Sequence, residues 1–263
     1  MSLTKRQQRR RHAAARALMP WLTAGLALIV WQTVSRLMGD ASLMLPAPGD
    51  IIEAIVRHYD VIWTNAWHTL LTTLIGFAAA VAGGLLIGLS IGASPLVYSG
   101  LYPLLVAFNA VPKVALVPIF VLWFGIGPVP AAIMAFALAV FPIIVNVATG
   151  LATIDPETED VMRSLGANRY EILTKVGIPR MLPYLFASLK IAITLAFVGS
   201  VLSETVASNT GIGFLMQAAS SRFDVALVFA GLVVVAALAV VAYGLCAVVE
   251  MRMTRWALRG QRR

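Results

Sequence analysis

The chain has 263 residues, 60% of them apolar and 12% charged, with a net charge of +8 and a mean hydropathy of +0.87. A soluble domain carries about 25% charged residues, so a soluble globule is excluded and the length is better counted in membrane spans of roughly 20 residues each. The single cysteine, Cys246, lies in an apolar run, which excludes a disulfide framework and a thiolate metal site.

Residues 1–17 form a basic tail. Six apolar segments follow, at about 18–38, 66–92, 97–125, 129–151, 182–205 and 225–249, and a second basic tail occupies 251–263. The runs are continuous and lack period-two alternation, so they predict helices and no membrane barrel. A cleaved signal peptide is the alternative for the first segment. Trp21 and Trp31, placed for the two interfacial belts, and the lack of an A-x-A site favour a span.

The second segment repeats a small residue every fourth position: Gly76, Ala80, Gly84, Gly88 and Gly92. Such a face lets another helix approach closely, within the subunit or across a dimer. The third contains Pro103, Pro112 and Pro118, which remove backbone donors and predict a broken or kinked passage, or two half-segments.

Lys113 is the only formally charged residue between Asp60 and Asp155. A lysine at mid-span costs about 3 kcal/mol on insertion scales, so it must face protein or water. It lines the passage with Asn109, favouring a small anion, or its stem snorkels or satisfies backbone carbonyls freed at Pro112. Glu204, at the outer end of the fifth span before "SNTGIG", belongs to an outer gate, or is solvated or paired with Arg222. Lys190 is expected to snorkel.

Lys and Arg favour the cytoplasmic ends of spans. Residues 1–17 hold six of them, the loop around 152–181 holds four (Arg163, Arg169, Lys175, Arg180) and residues 251–263 hold five, while Arg36, Arg57 and Arg222 fall on the other side. Six spans with both termini in the cytoplasm fit this split. The basic balance therefore reports topology and anionic headgroups rather than nucleic acid.

The loop itself, "ETEDVMRSLGANRYEILTKVGIP" from Glu157 to Pro179, then faces the cytoplasm. Asp155 suits an N-cap, Pro156 the first helical position, and Glu157, Glu159 and Asp160 complement the positive helix end. Glu159 with Arg163 and Glu171 with Lys175 are spaced for ion pairs. Gly166 breaks the run before a second helix near Asn168, and Pro179 and Pro183 end that helix and start the fifth span. Helices of about ten residues are marginal alone. They require a surface, their own membrane domain or a soluble partner.

"EDVMRSLGANRYEILTKVGIP" resembles the cytoplasmic loop of binding-protein-dependent ATP-binding-cassette importer permeases, E-A-A, three residues, G, nine residues, I-x-L-P. Asp160, Val161 and Met162 take the E-A-A places, Gly166 the glycine, Val176 and Ile178 the aliphatic places and Pro179 the proline. "LPAPGDI" (45–51), "VPKVALVPIFVLWFGIG" (111–127), "RSLGAN" and "SETVASNTGIGFLM" (203–216) are similar to segments of the nitrate, sulfonate and taurine branch. The likeness runs from about residue 20 to 250.

That resemblance implies an all-α, polytopic bundle of about six spans with the type I importer permease fold (MetI-like), its permease domain at 18–250 between the tails. It further implies a multi-pass protein of a bacterial inner membrane. Residues Glu159, Asp160, Met162, Arg163, Gly166, Ala167, Val176, Ile178 and Pro179 would then couple to a cytoplasmic ATPase. The remaining partners it implies are an extracytoplasmic binding protein and a second permease copy, in a homodimer. Candidate solutes are nitrate, sulfonates, taurine and uncharged or cationic heterocycles.

No G-x-x-x-x-G-K-[ST] loop occurs, so ATP and Mg belong to the partner and this chain holds no cofactor. His12, His58 and His68 lack ligand spacing and no H-E-x-x-H appears, which argues against an enzyme. The competing class is an ion-driven secondary transporter or channel, for which intramembrane acid pairs are expected.

Overall fold

The structure, a computed structural model, describes residue 19 and residues 22–37, 45–153 and 155–254. The tail 1–17, Trp21 and residues 255–263 of the second tail lie outside the described residues. All regular structure in the described part is helical. Two units separate by contact, Met1–Tyr59 with Ala219–Ala230, and Asp60–Ala218 with Gly231–Arg263.

In the first unit, α1 (Leu22–Leu37) is followed by α2 (Pro48–Arg57). Pro48 opens α2 because its missing N–H would be unpaired there in any case. Asp50 in the first turn accepts from the Ala47 amide at 3.3 Å and pairs with Arg36 of α1 at 3.0 Å. Ser35 donates to the Leu45 carbonyl at 2.7 Å. These polar ties hold "LPAPGDI" against the end of α1.

The second unit contains α3 (Tyr59–Gly92), α4 (Pro95–Ala110), a 3-10 turn at Lys113–Leu116, α5 (Val117–Phe124) and α6 (Pro128–Ala152). The loop sequence from Glu157 to Pro179 then contributes to α7 (Pro156–Ser164) and α8 (Arg169–Ile172), and the chain continues through α9 (Ile178–Ala207), α10 (Ile212–Ser220) and α11 (Val225–Met253), whose first residues belong to the other unit. Among the described residues four helices are long and apolar enough to cross a membrane, and α4 with the 3-10 turn and α5 makes a fifth, bent passage with an angle of 75°. The prolines of the third segment thus produce two half-segments. α1 is apolar but shorter over the residues described.

The core lies where α6 is gripped between α3 and α9. Ala80, Ala139, Ile143, Val147, Leu185 and Ala196 belong to one buried cluster. The small-residue face of α3 is spent on α6: a Cβ on Gly76 would sit 2.6 Å from Ala135 Cβ, one on Gly84 2.7 Å from Ile143, one on Gly88 2.7 Å from Val147 and one on Gly92 2.9 Å from Leu151. Between the two possibilities open from sequence, within the subunit or across a dimer, this stripe packs within it. Gly199 of α9 does the same from the other side, a Cβ there meeting the Met134 carbonyl at 2.5 Å. In lipid, where burial of apolar surface gives helices no preference for one another, close backbone approach is a main source of association.

One expectation is corrected. The second loop helix does not stop at Pro179. α8 passes through a π-helical turn, Leu173–Gly177, directly into α9. Pro179 falls in the first turn of α9, just after the π-helical turn, and the helix runs on with Pro183 inside it. Lys190 meets a partner that its own segment does not show: its ammonium pairs with Glu250 of α11 at 2.6 Å, both side chains about one-fifth exposed.

Candidate functional site

α7 is built entirely from local signals. The Asp155 carboxylate accepts from the Glu157 amide at 3.3 Å, Pro156 occupies the first position, and Glu157 and Glu159 stand in the first turn. The helix ends in a paired closure: Gly166 N donates to Arg163 O at 2.9 Å and Ala167 N to Met162 O at 3.0 Å, with Gly166 at φ +83°. This arrangement consumes two orphan carbonyls and requires a left-handed residue. Asn168 then caps α8, its side chain accepting from Glu171 N at 2.8 Å while Glu171 accepts from Asn168 N at 3.0 Å. Glu159 pairs with Arg163, and Glu171 with Lys175 at 3.1 Å.

The surface of this corner is unusual for a loop between charged caps. Val161, Leu165 and Tyr170 are exposed, Leu165 at 77%. Val161 and Leu165 are four apart and share a face of α7. Asp160 is exposed as well, whereas Met162, Ala167, Val176 and Pro179 are half-buried and Ile178 packs on the central cluster. The aliphatic places therefore seat the corner on the membrane domain, and the outward apolar face belongs to Val161 and Leu165. Leu165 and Tyr170 were not singled out by sequence; an apolar residue at a C-cap beside a required glycine is the signal that could have found Leu165.

At the broken passage, the Lys113 ammonium donates to the Asn109 carbonyl at 3.0 Å and to Asn109 Oδ1 at 2.7 Å. The two residues predicted to act together are thus in contact, with the cation closing on the carbonyl end of α4. That is where a helix favours positive charge.

Of the readings open for Glu204, an outer gate, solvation or a pair with Arg222, the solvated one is not met. The residue is 2% exposed. Thr69 Oγ1 donates to its Oε2 at 2.8 Å, Gly213 N to the same oxygen at 3.1 Å, and Ser200 and Thr72 approach Oε1 at 3.3 and 3.4 Å. These donors are neutral hydroxyl and amide groups. They come from α3, from α9 itself and from the first turn of α10, a helix that the "SNTGIG" sequence did not reveal. A buried carboxylate without such donors would be prohibitively costly.

Residues 80–255 match the family model described as binding-protein-dependent transport system inner membrane component. The chain is 30% identical to a probable ABC transporter permease protein of Haemophilus influenzae, over 87% of this chain and 93% of that one. It is 30% identical to the formylaminopyrimidine transport permease protein ThiX of Halalkalibacterium halodurans, over 91% and 96%, and 28% identical to the taurine transport system permease protein TauC of Escherichia coli, over 89% and 88%. Among solved structures, a chain of the MetNI methionine ABC transporter in an inward-facing conformation superposes with a TM-score of 0.56 at 19% identity, covering 77% of this chain and 97% of that one. The helical fold and these matches agree, and the chain belongs to the binding-protein-dependent inner-membrane permeases of ATP-binding-cassette importers, in which a separate subunit is the ATPase.

Proposed function

We propose that two copies of this chain form the path of a small solute, with the α7–α8 corner as the socket for the ATPase and both termini in the cytoplasm. The observation that carries this reading is the outward apolar pair Val161 and Leu165 on a corner whose caps and charges would otherwise keep it fully solvated. Opening and closing of the ATPase pair would be transmitted through α8, which is continuous with α9 by way of the π-helical turn. A push on the corner then reaches a span without an intervening flexible link. The motif positions Glu159, Asp160, Met162, Arg163, Gly166, Ala167, Val176, Ile178 and Pro179 divide into an outer contact edge and an inner seat.

Co-purification with the co-expressed ATPase tests the socket. Leu165→Ser leaves the fold intact, since the residue is exposed, and is expected to weaken the complex at least tenfold, on the order of a well-packed contact residue. Gly166→Trp, which cannot hold φ +83° without strain, is expected to abolish it. Undiminished co-purification of both variants would refute the socket.

For the solute, the relatives named above transport chemically different compounds, a formylaminopyrimidine and taurine. We infer a small anion, such as a sulfonate, taurine or nitrate, from Lys113, held by Asn109 in the bent passage. Uptake of these solutes by membranes containing the assembled importer is expected to fall with Lys113→Gln. Unchanged affinity and rate would remove Lys113 and Asn109 from the path and leave the cation as a cap of α4.

A further inference from the structure

Three successive amides at the start of α10 are satisfied by three side chains of other helices, two of them more than 140 residues away in sequence. Gly211 N donates to Asn65 Oδ1 at 2.8 Å, Ile212 N to Thr69 Oγ1 at 2.8 Å and Gly213 N to Glu204 Oε2 at 3.1 Å. Asn65 and Thr69 are one turn apart on α3, and Glu204 lies near the end of α9. The first amides of any helix lack intrahelical partners and are ordinarily met by the residue just before them or by water. Here the two neighbouring spans meet them instead.

Close packing fixes the arrangement. A Cβ on Gly211 would fall 2.6 Å from Glu204 Oε1, and one on Gly213 would fall 2.7 Å from Glu204 Cβ. Gly211 also adopts φ +101°, so glycine is required there twice over. Thr69 links the set, receiving the Ile212 amide and giving its own proton to Glu204. On the other carboxylate oxygen, Thr72 and Ser200 lie 2.6 Å apart, and Thr72 is also 3.1 Å from the His68 and Thr69 carbonyls.

We propose that Glu204 is a positioning residue for solute passage: with Asn65 and Thr69 it clamps the amide end of α10 to α3 and α9, so that α10 travels with those spans as one body between the facing states. The inference rests on the permease reading above. What the clamp uses is acceptor geometry rather than negative charge. A glutamine at 204 can place its oxygen on Thr69 and Gly213 and its amide group on Ser200 and Thr72; the Thr72 proton then goes to the His68 or Thr69 carbonyl and the Ser200 proton to Thr72 Oγ1. An alanine leaves the Gly213 amide and the hydroxyls without that acceptor, and an aspartate is one methylene too short.

The test is amide hydrogen exchange of the segment 208–216 in the full-length permease in nanodiscs, alone and assembled with its ATPase. Glu204→Ala is expected to exchange at least about tenfold faster there than wild type, the scale of losing a buried hydrogen bond. Glu204→Gln is expected to stay within about threefold, and Asn65→Ala to accelerate Gly211 even if the alanine at 204 fails to fold. Nucleotide-free and vanadate-trapped complexes are expected to protect the segment equally. Wild-type exchange in Asn65→Ala and Glu204→Ala, or fast exchange in Glu204→Gln, would overturn the clamp. Loss of protection in one nucleotide state would overturn the one-body motion. Failure of the permease reading itself would appear separately, as an ATPase that does not co-purify, with the exchange pattern of the isolated chain unchanged.

Discussion

Two glycines with left-handed backbone mark two regions that work in opposite ways. Gly166 (φ +83°) closes α7 into open space, with no atom within 4 Å of where a Cβ would be, whereas Gly211 (φ +101°) turns the chain into α10 directly against the Glu204 carboxylate. The first corner is made by neighbours in sequence: Asp155, Asn168 and Glu171 cap what lies next to them. The second is made across helices, by Asn65 and Thr69 of α3 and Glu204 of α9. A locally determined corner can stand exposed and wait for a partner. A corner determined by tertiary contacts is fixed from within and has no acceptor to spare.

The contrast can be broken most sharply at Gly211. Gly211→Ala adds an overlap with Glu204 to the backbone strain and is expected to destabilise the permease by about 3 kcal/mol or more, read as a lowered Tm and poor recovery from membranes. Next comes the ion pair between α9 and α11. Lys190→Met leaves the Glu250 carboxylate largely enclosed, with an expected loss of about 2 kcal/mol that Glu250→Gln in the same chain partly restores, because the pair is mostly withdrawn from solvent. Gly166→Ala meets backbone strain alone, and about 1 kcal/mol is expected, with the larger effect on ATPase binding. The smallest effect belongs to Glu159→Gln. Its pair with Arg163 joins side chains 37% and 54% exposed, so less than about 0.5 kcal/mol is expected in thermal unfolding at moderate salt. Equal losses at Gly211 and Gly166 would erase the distinction between the regions.

The spans were legible because apolar runs of spanning length have few other physical outcomes, and the loop caps because Asp155, Gly166 and Asn168 act within a few residues of themselves. The break at Pro112 was legible for the same reason. Pro179 misled: a proline commonly ends a helix, and only a π-helical turn upstream, Leu173–Gly177, allows α8 to continue into α9. Lys190 was read as snorkelling because its partner, Glu250, lies on another helix. The start of α10 after Glu204 was not legible because glycines and small polar residues signal a turn, and nothing nearby in sequence shows that Asn65 and Thr69 satisfy the amides that follow.

By itself the sequence determined that this is a helical membrane protein with a doubly capped, exposed corner bearing the marks of an importer permease, since hydropathy, capping and turn chemistry are short-range. The tertiary structure alone decided that the α3 stripe is used on α6, that Lys190 is paired, and that a buried acid at the end of α9 holds the start of α10. Those outcomes depend on which helix lies beside which, and a hydrogen bond or a Cβ overlap is decided over a few ångströms that residue spacing along one chain does not specify.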